Sequence, residues 1–164
     1  MEYYPTLITL HIIFAGGWLI SLVTDIIIKR FIYNSKGTDK EKTLIALYLT
    51  IINLPGIISS SGILITGIVL VLLNPAYGFF DMSANHWLAT KQILMVVLLL
   101  IIFVLIIPAA KKIRAGIKSE LNSNVQTTEE TYSFLKKIYK LNTTINLIVL
   151  LNFLLAITHR FIGN

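Results

Sequence analysis

The sequence contains no cysteine, which excludes disulfides, thiolate metal sites, c-type haem attachment and a cysteine nucleophile together. Any metal must therefore use imidazole, amine, oxygen or thioether ligands. Acidic residues are scarce, 8 against 14 Lys and Arg, and charged residues make up only 13% of the 164. Prolines are scarcer, at Pro5, Pro55, Pro75 and Pro108. With so few breakers and charges the apolar runs go on uninterrupted, and soluble folds rarely look like this. Serine-hydrolase, P-loop and dinucleotide signatures are absent, and the glycines form no phosphate-cradling loop. There is no convincing internal repeat and no low-complexity tract.

Hydrophobic residues make up 55% of the chain. Four runs reach the ~20 residues needed to cross a ~30 Å hydrocarbon core. They predict an all-α fold: a four-transmembrane-helix antiparallel bundle, residues 1–164 forming one integral membrane domain with helices at about 5–29, 43–73, 87–110 and 138–160. The first run follows Met1-Glu2-Tyr3-Tyr4 without a basic n-region and outlasts a signal-peptide core, so it is expected to remain in the mature protein.

The basic balance would suit nucleic acid, but its distribution argues for a membrane topology instead. Lys29, Arg30, Lys36, Lys40 and Lys42 follow the first run, and Lys111, Lys112, Arg114, Lys118, Lys136, Lys137 and Lys140 follow the third. Only Lys91 and Arg160 lie elsewhere. The positive-inside rule then puts both basic loops in the cytoplasm and both termini outside. The expectation is a multi-pass protein of the inner cell membrane, N-out and C-out, with the lipid bilayer as partner and no nucleic acid. A homo-oligomer is compatible with these features.

Against this background two ionisable residues stand out. By the same topology His11 and Lys91 enter the membrane from one face and sit five or six residues in, roughly 7 to 9 Å at ~1.5 Å per residue. At that depth a polar group costs several kcal/mol unless it is paired, hydrated or bound, so a functional role is the default. His11 shares a helix face with Trp18, and Gly16 and Gly17 allow close approach of a flat ligand or a second helix. His86 and Trp87 stand at the mouth of the third helix, and His159 with Arg160 ends the fourth. Asp25 precedes Lys29 by four residues, which suits an i,i+4 pair and leaves a proton-relay role open. Ser59, Ser60 and Ser61 suit hydroxyl contacts between helices or the lining of a cofactor pocket. Pro55-Gly56 predicts a kink in the second helix, or the end of a short extension.

Two chemistries use such a set. Haem b takes an imidazole axial ligand, with His11 a candidate donor, Lys91 a candidate second ligand, and Lys91 or Arg160 near the outer interface as propionate partners. A mononuclear zinc or copper site would gather His11, His86 and His159 instead, although no local ligand motif brings them together. A third reading is a membrane assembly subunit without chemistry of its own.

The segment Leu10-His11-Ile12-Ile13-Phe14-Ala15-Gly16-Gly17-Trp18 resembles the first helix of the HemJ-type protoporphyrinogen oxidases and the related copper-resistance-D-like membrane proteins. Trp87-Leu88-Ala89-Thr90-Lys91 resembles their Trp-Leu-x-x-Lys segment, and Pro55 and Gly67 stand where that family's second helix tends to have a proline and a glycine. The resemblance implies a b-type haem associated with His11 and Lys91, with Trp18, Gly16 and Trp87 beside it. It further implies oxidation of protoporphyrinogen IX to protoporphyrin IX, with electrons passed to a quinone.

Overall fold

The computed structural model of the chain describes residues 3–38, 40–123 and 125–162. Among them there is no strand, and the helices form four long rods. These are α1 (Tyr4–Asn34), α2 (Lys40–Leu73), a third rod made of α3 (Met82–Leu100), a π-helical turn (Ile101–Ile106) and α4 (Ile107–Asn122), and α5 (Glu129–Ile162). Each rod is long and apolar enough to cross a membrane. The rods exceed the predicted spans, chiefly at the end rich in Lys and Arg. Hydropathy marks where the lipid ends, whereas Lys, Glu and Leu carry the helix onward by propensity. The connection between α4 and α5 lies at this end as well.

Cross-helix contacts show α1 and α2 running antiparallel: His11 meets Thr66, Phe14 meets Gly62, and Asp25 meets Tyr48. The buried faces alternate steps of three and four. On α1 the stripe is Trp18, Ser21, Asp25, Ile28 and Ile32, and on α5 it is Thr131, Leu135, Ile138, Asn142, Ile145 and Val149. This spacing averages 3.5 residues on α1 and 3.6 on α5 and suits the shallow crossing of a helical bundle. Polarity is inverted relative to a soluble bundle. Ile20, Val23, Ile65, Leu72, Phe103 and Leu147 face outward, while Ser21, Asp25, Ser59, Thr66 and Asn142 are buried. Lipid tails leave no hydrophobic drive between helices, so small residues and polar contacts hold the rods together.

The interior is filled unevenly. At the basic end Ile28, Ile45, Tyr48, Leu49, Ile113 and Ile138 belong to one tight cluster. Mid-bundle, Trp18, Met95, Leu98, Ile106, Ile145 and Val149 form a second. Beyond it, toward the opposite end, no residue of α1 from Tyr4 to Gly17 and none of α5 from Leu150 to Thr158 is buried. Over its whole length α1 packs mainly on α2, with a lesser contact to α5, and α3 packs on α5.

Two prolines lie inside the rods. α2 runs through Pro55 as unbroken helix. In the third rod Pro108 lacks an N–H and its ring crowds the carbonyl four residues back, and the turn before it widens so that the Ile107 N–H reaches Ile102 O.

Candidate functional site

The sparsely filled end holds the residues that the sequence singles out. His11 is half-buried, and its Nδ1 lies 2.8 Å from Thr66 Oγ1. Thr66 is itself buried and donates its one hydroxyl proton to Gly62 O at 2.6 Å. That hydroxyl can then only accept from the imidazole, so Nδ1 carries the ring proton and Nε2 keeps its lone pair. Gly67 lies beside the ring, and a Cβ there would stand in ordinary contact with His11 Cε1 at 3.5 Å. An imidazole held through one nitrogen with the other left basic is the usual arrangement of a metal-binding histidine.

Lys91 stands on α3, half-buried, close enough to His11 for its charge to act on the imidazole. Its ammonium lies 5.4 Å from the centre of the Trp87 ring, one turn back toward the start of α3. Helical side chains lean toward the N-terminus, and this one leans outward onto an aromatic face. Trp87 is in turn edge-on to Tyr77 at 6.1 Å. The connection 74–81 is tied over this point: Asn85 donates to Ala76 O at 2.8 Å, and Asn74 donates to the Tyr4 hydroxyl at 3.3 Å. Asp81 caps α3 by accepting from the Ser83 and Ala84 amides. The Ser83 hydroxyl and those two amides hold its carboxyl below the usual carboxylate range.

The other expected site residues are placed differently. Trp18 is only 4% exposed and belongs to the mid-bundle cluster, two turns deeper than His11. Gly16 faces open space, whereas Gly17 faces Ser59, whose Oγ a Cβ would meet at 3.0 Å. His86 is exposed near the start of α3. The side chains of His159 and Arg160 lie outside the described residues. Among the described residues no three His, Asp or Glu side chains gather where they could share a metal ion.

A second polar group occupies the basic half, and sequence reading foresaw only one pair of it. Asp25 is 2% exposed and pairs with Lys29 Nζ at 2.6 Å. Tyr48 donates to its other oxygen at 2.7 Å, and Asn146 donates at 3.2 Å. Asn142 donates to the Tyr48 hydroxyl at 2.8 Å, so the network ties α1 and α2 to α5. Lys29 also reaches the Tyr139 carbonyl at 3.2 Å. The i,i+4 spacing announces Asp25 and Lys29; Tyr48, Asn142 and Asn146 come together only through tertiary packing. Ser59 and Ser60 are buried as helix-to-helix polar contacts would require, and Ser61 faces outward.

Between this network and the two prolines lies a cavity of about 230 Å³. Asn142 and Asn146 line one side, Ile57, Ile102 and Ile107 another, and Lys111 and Arg114 stand at its edge.

Compared with family models, with curated proteins and with solved structures, the chain matches none.

Proposed function

We propose that this chain is a membrane haem b protein that carries electrons, of the HemJ-like kind, with protoporphyrinogen IX as substrate and a quinone as acceptor. The observation that carries the haem reading is the His11–Thr66–Gly62 chain, which engages Nδ1 and leaves Nε2 as the base on a ring that sits in the sparsely filled end of the bundle. The Asn152 side-chain oxygen, buried on α5 in the same half, is an acceptor without a hydrogen-bond partner, and a bound molecule carrying a donor would satisfy it. The residues therefore fit the group that the sequence resemblance implies.

In this reading His11 Nε2 would hold the iron, and Thr66 keeps the ring oriented and its tautomer fixed. Lys91, whose ammonium leans outward onto Trp87, would pair with a propionate. Haem, when bound, would supply a one-electron carrier. The topology adopted is the positive-inside one, with the His11 end facing outward from the cytoplasm. A metal-ion handling role for the histidines has less support. His86 is exposed at a helix start, and the described ligating side chains do not converge.

The absorption spectrum of the protein purified from membranes tests the reading. The expected result is a Soret band with sharp α and β bands on reduction, lost in His11→Ala while helicity is retained. Thr66→Val should keep the band but weaken haem retention by roughly 10- to 100-fold, the usual effect of removing an outer hydrogen bond to a ligand. A colourless protein that binds copper stoichiometrically overturns the proposal, and one that binds neither is an assembly subunit. Growth of a strain lacking its own protoporphyrinogen oxidase, rescued by this chain, tests the substrate separately.

A further inference from the structure

We infer that the cavity at the basic end is a binding site for one anionic phospholipid, held by its phosphate and by the first part of one acyl chain. It is separate from the His11 end and does not depend on the haem reading. Gly56 and Ile57, which follow Pro55 on α2, line it, and an added Cβ on Gly56 would meet nothing within 4 Å. Opposite, the widened turn before Pro108 brings Ile102, Ile106 and Ile107 to the wall. Widened π turns of this kind are frequent at functional sites.

The lining changes in the order that a phospholipid requires. Toward mid-bundle it is apolar, with Trp18, Ile57, Ile102 and Ile106. Toward the basic end the amides of Asn142 and Asn146 are each engaged by one bond to Tyr48 or Asp25, and each has a second N–H to offer an ester carbonyl. At the edge stand Lys111 and Arg114, both exposed. Arg114 spends one N–H on Leu49 O at 3.3 Å and retains the rest of its fork for a phosphate. Lys29–Asp25 is the salt bridge found among the described side chains, so neither Lys111 nor Arg114 has a carboxylate partner there. Lys118, one turn beyond Arg114 on the same face of α4, lines a neighbouring hollow of about 250 Å³ with Ala46 and Leu121 and extends the basic strip.

Size points the same way. A cavity of about 230 Å³ is smaller than the ~300 Å³ at which pockets for whole small molecules begin, so it takes part of a molecule whose remainder lies in the bilayer. Basic pockets between membrane helices at the cytoplasmic side bind anionic head groups in this way.

The test is native mass spectrometry of the full chain, delipidated in a neutral detergent and titrated with phosphatidylglycerol, phosphatidylcholine or oleate. Phosphatidylglycerol should bind at one site about 30-fold more tightly than phosphatidylcholine, as two interfacial cations imply. Lys111→Gln with Arg114→Gln should bring the two lipids within a factor of about two of each other. Both residues are exposed, so the double variant is expected to keep the melting temperature of the parent. Ile107→Trp, which fills the cavity and leaves both cations, should also lose the preference. Equal binding of the two phospholipids by the parent chain overturns the inference, as does a double variant that still prefers phosphatidylglycerol. Oleate binding as tightly as phosphatidylglycerol overturns it in favour of a free fatty acid.

Discussion

At the residue scale, Asp25 shows how a membrane bundle treats a charge it has buried. Its carboxylate takes one charged and two neutral donors, and those donors come from three helices. Burying an ion is costly, and the cost is offset only while its counter-ion and hydrogen bonds are in place. The partners are therefore unequal. Lys29→Met leaves an uncompensated buried carboxylate and is expected to destabilise the fold by about 3–5 kcal/mol. Tyr48→Phe removes one interhelical hydrogen bond, which in lipid is worth about 0.6–2 kcal/mol. Asp25→Leu combined with Lys29→Met should recover most of the larger loss, because the two residues act as a pair. Unfolding in mixed micelles with increasing denaturing detergent measures all three. Equal losses for Lys29→Met and Tyr48→Phe would show that the charge is not what matters there.

At the scale of elements, α1 and α2 form the closest pair, and their contact rests on fitted small residues. Phe14 lies over Gly62, where an added Cβ would stand 2.4 Å from the ring. Gly62→Ala must push the ring aside, at a cost of about 1–3 kcal/mol for an overpacked contact. The same substitution in a Phe14→Leu background should cost less, and comparing the thermal midpoints of the two pairs measures the difference. An unchanged midpoint in the parent background would mean that the helices simply slide apart in lipid. These elements were largely legible in advance. Runs of Ile, Leu and Val without charge give four spans, and Lys and Arg mark where the spans end. The extra turns at the basic end were missed because they are polar and still helical. The widened turn at 101–106 was missed too, since Pro108 announces a disturbance without saying whether the helix breaks, kinks or widens. At Pro55 the helix does not end, and α2 continues through it as one element.

At the scale of the molecule, the two halves of the bundle differ in how much of the candidate chemistry could be read beforehand. His11 and Lys91 were visible as single polar residues in apolar runs, and the structure brings them within electrostatic reach of each other. The Thr66 bond, the buried position of Trp18 and the cavity behind Pro108 arise from register between helices far apart in sequence, which no one-dimensional pattern carries. The same register leaves the basic half tightly filled and the His11 half open. Local stability follows buried contacts, so the two halves should open independently. Hydrogen exchange of the chain in nanodiscs without haem is expected to be faster over residues 4–14, 82–92 and 150–158 than over 25–32, 109–117 and 135–142. Adding haem should slow exchange in the first set and leave the second unchanged, because a group bound through His11 supplies contacts only to the open half. Equal protection of both halves before haem is added would contradict the uneven filling. Slowing confined to the basic half would place the bound group in the cavity beside Lys111 and Arg114, away from His11.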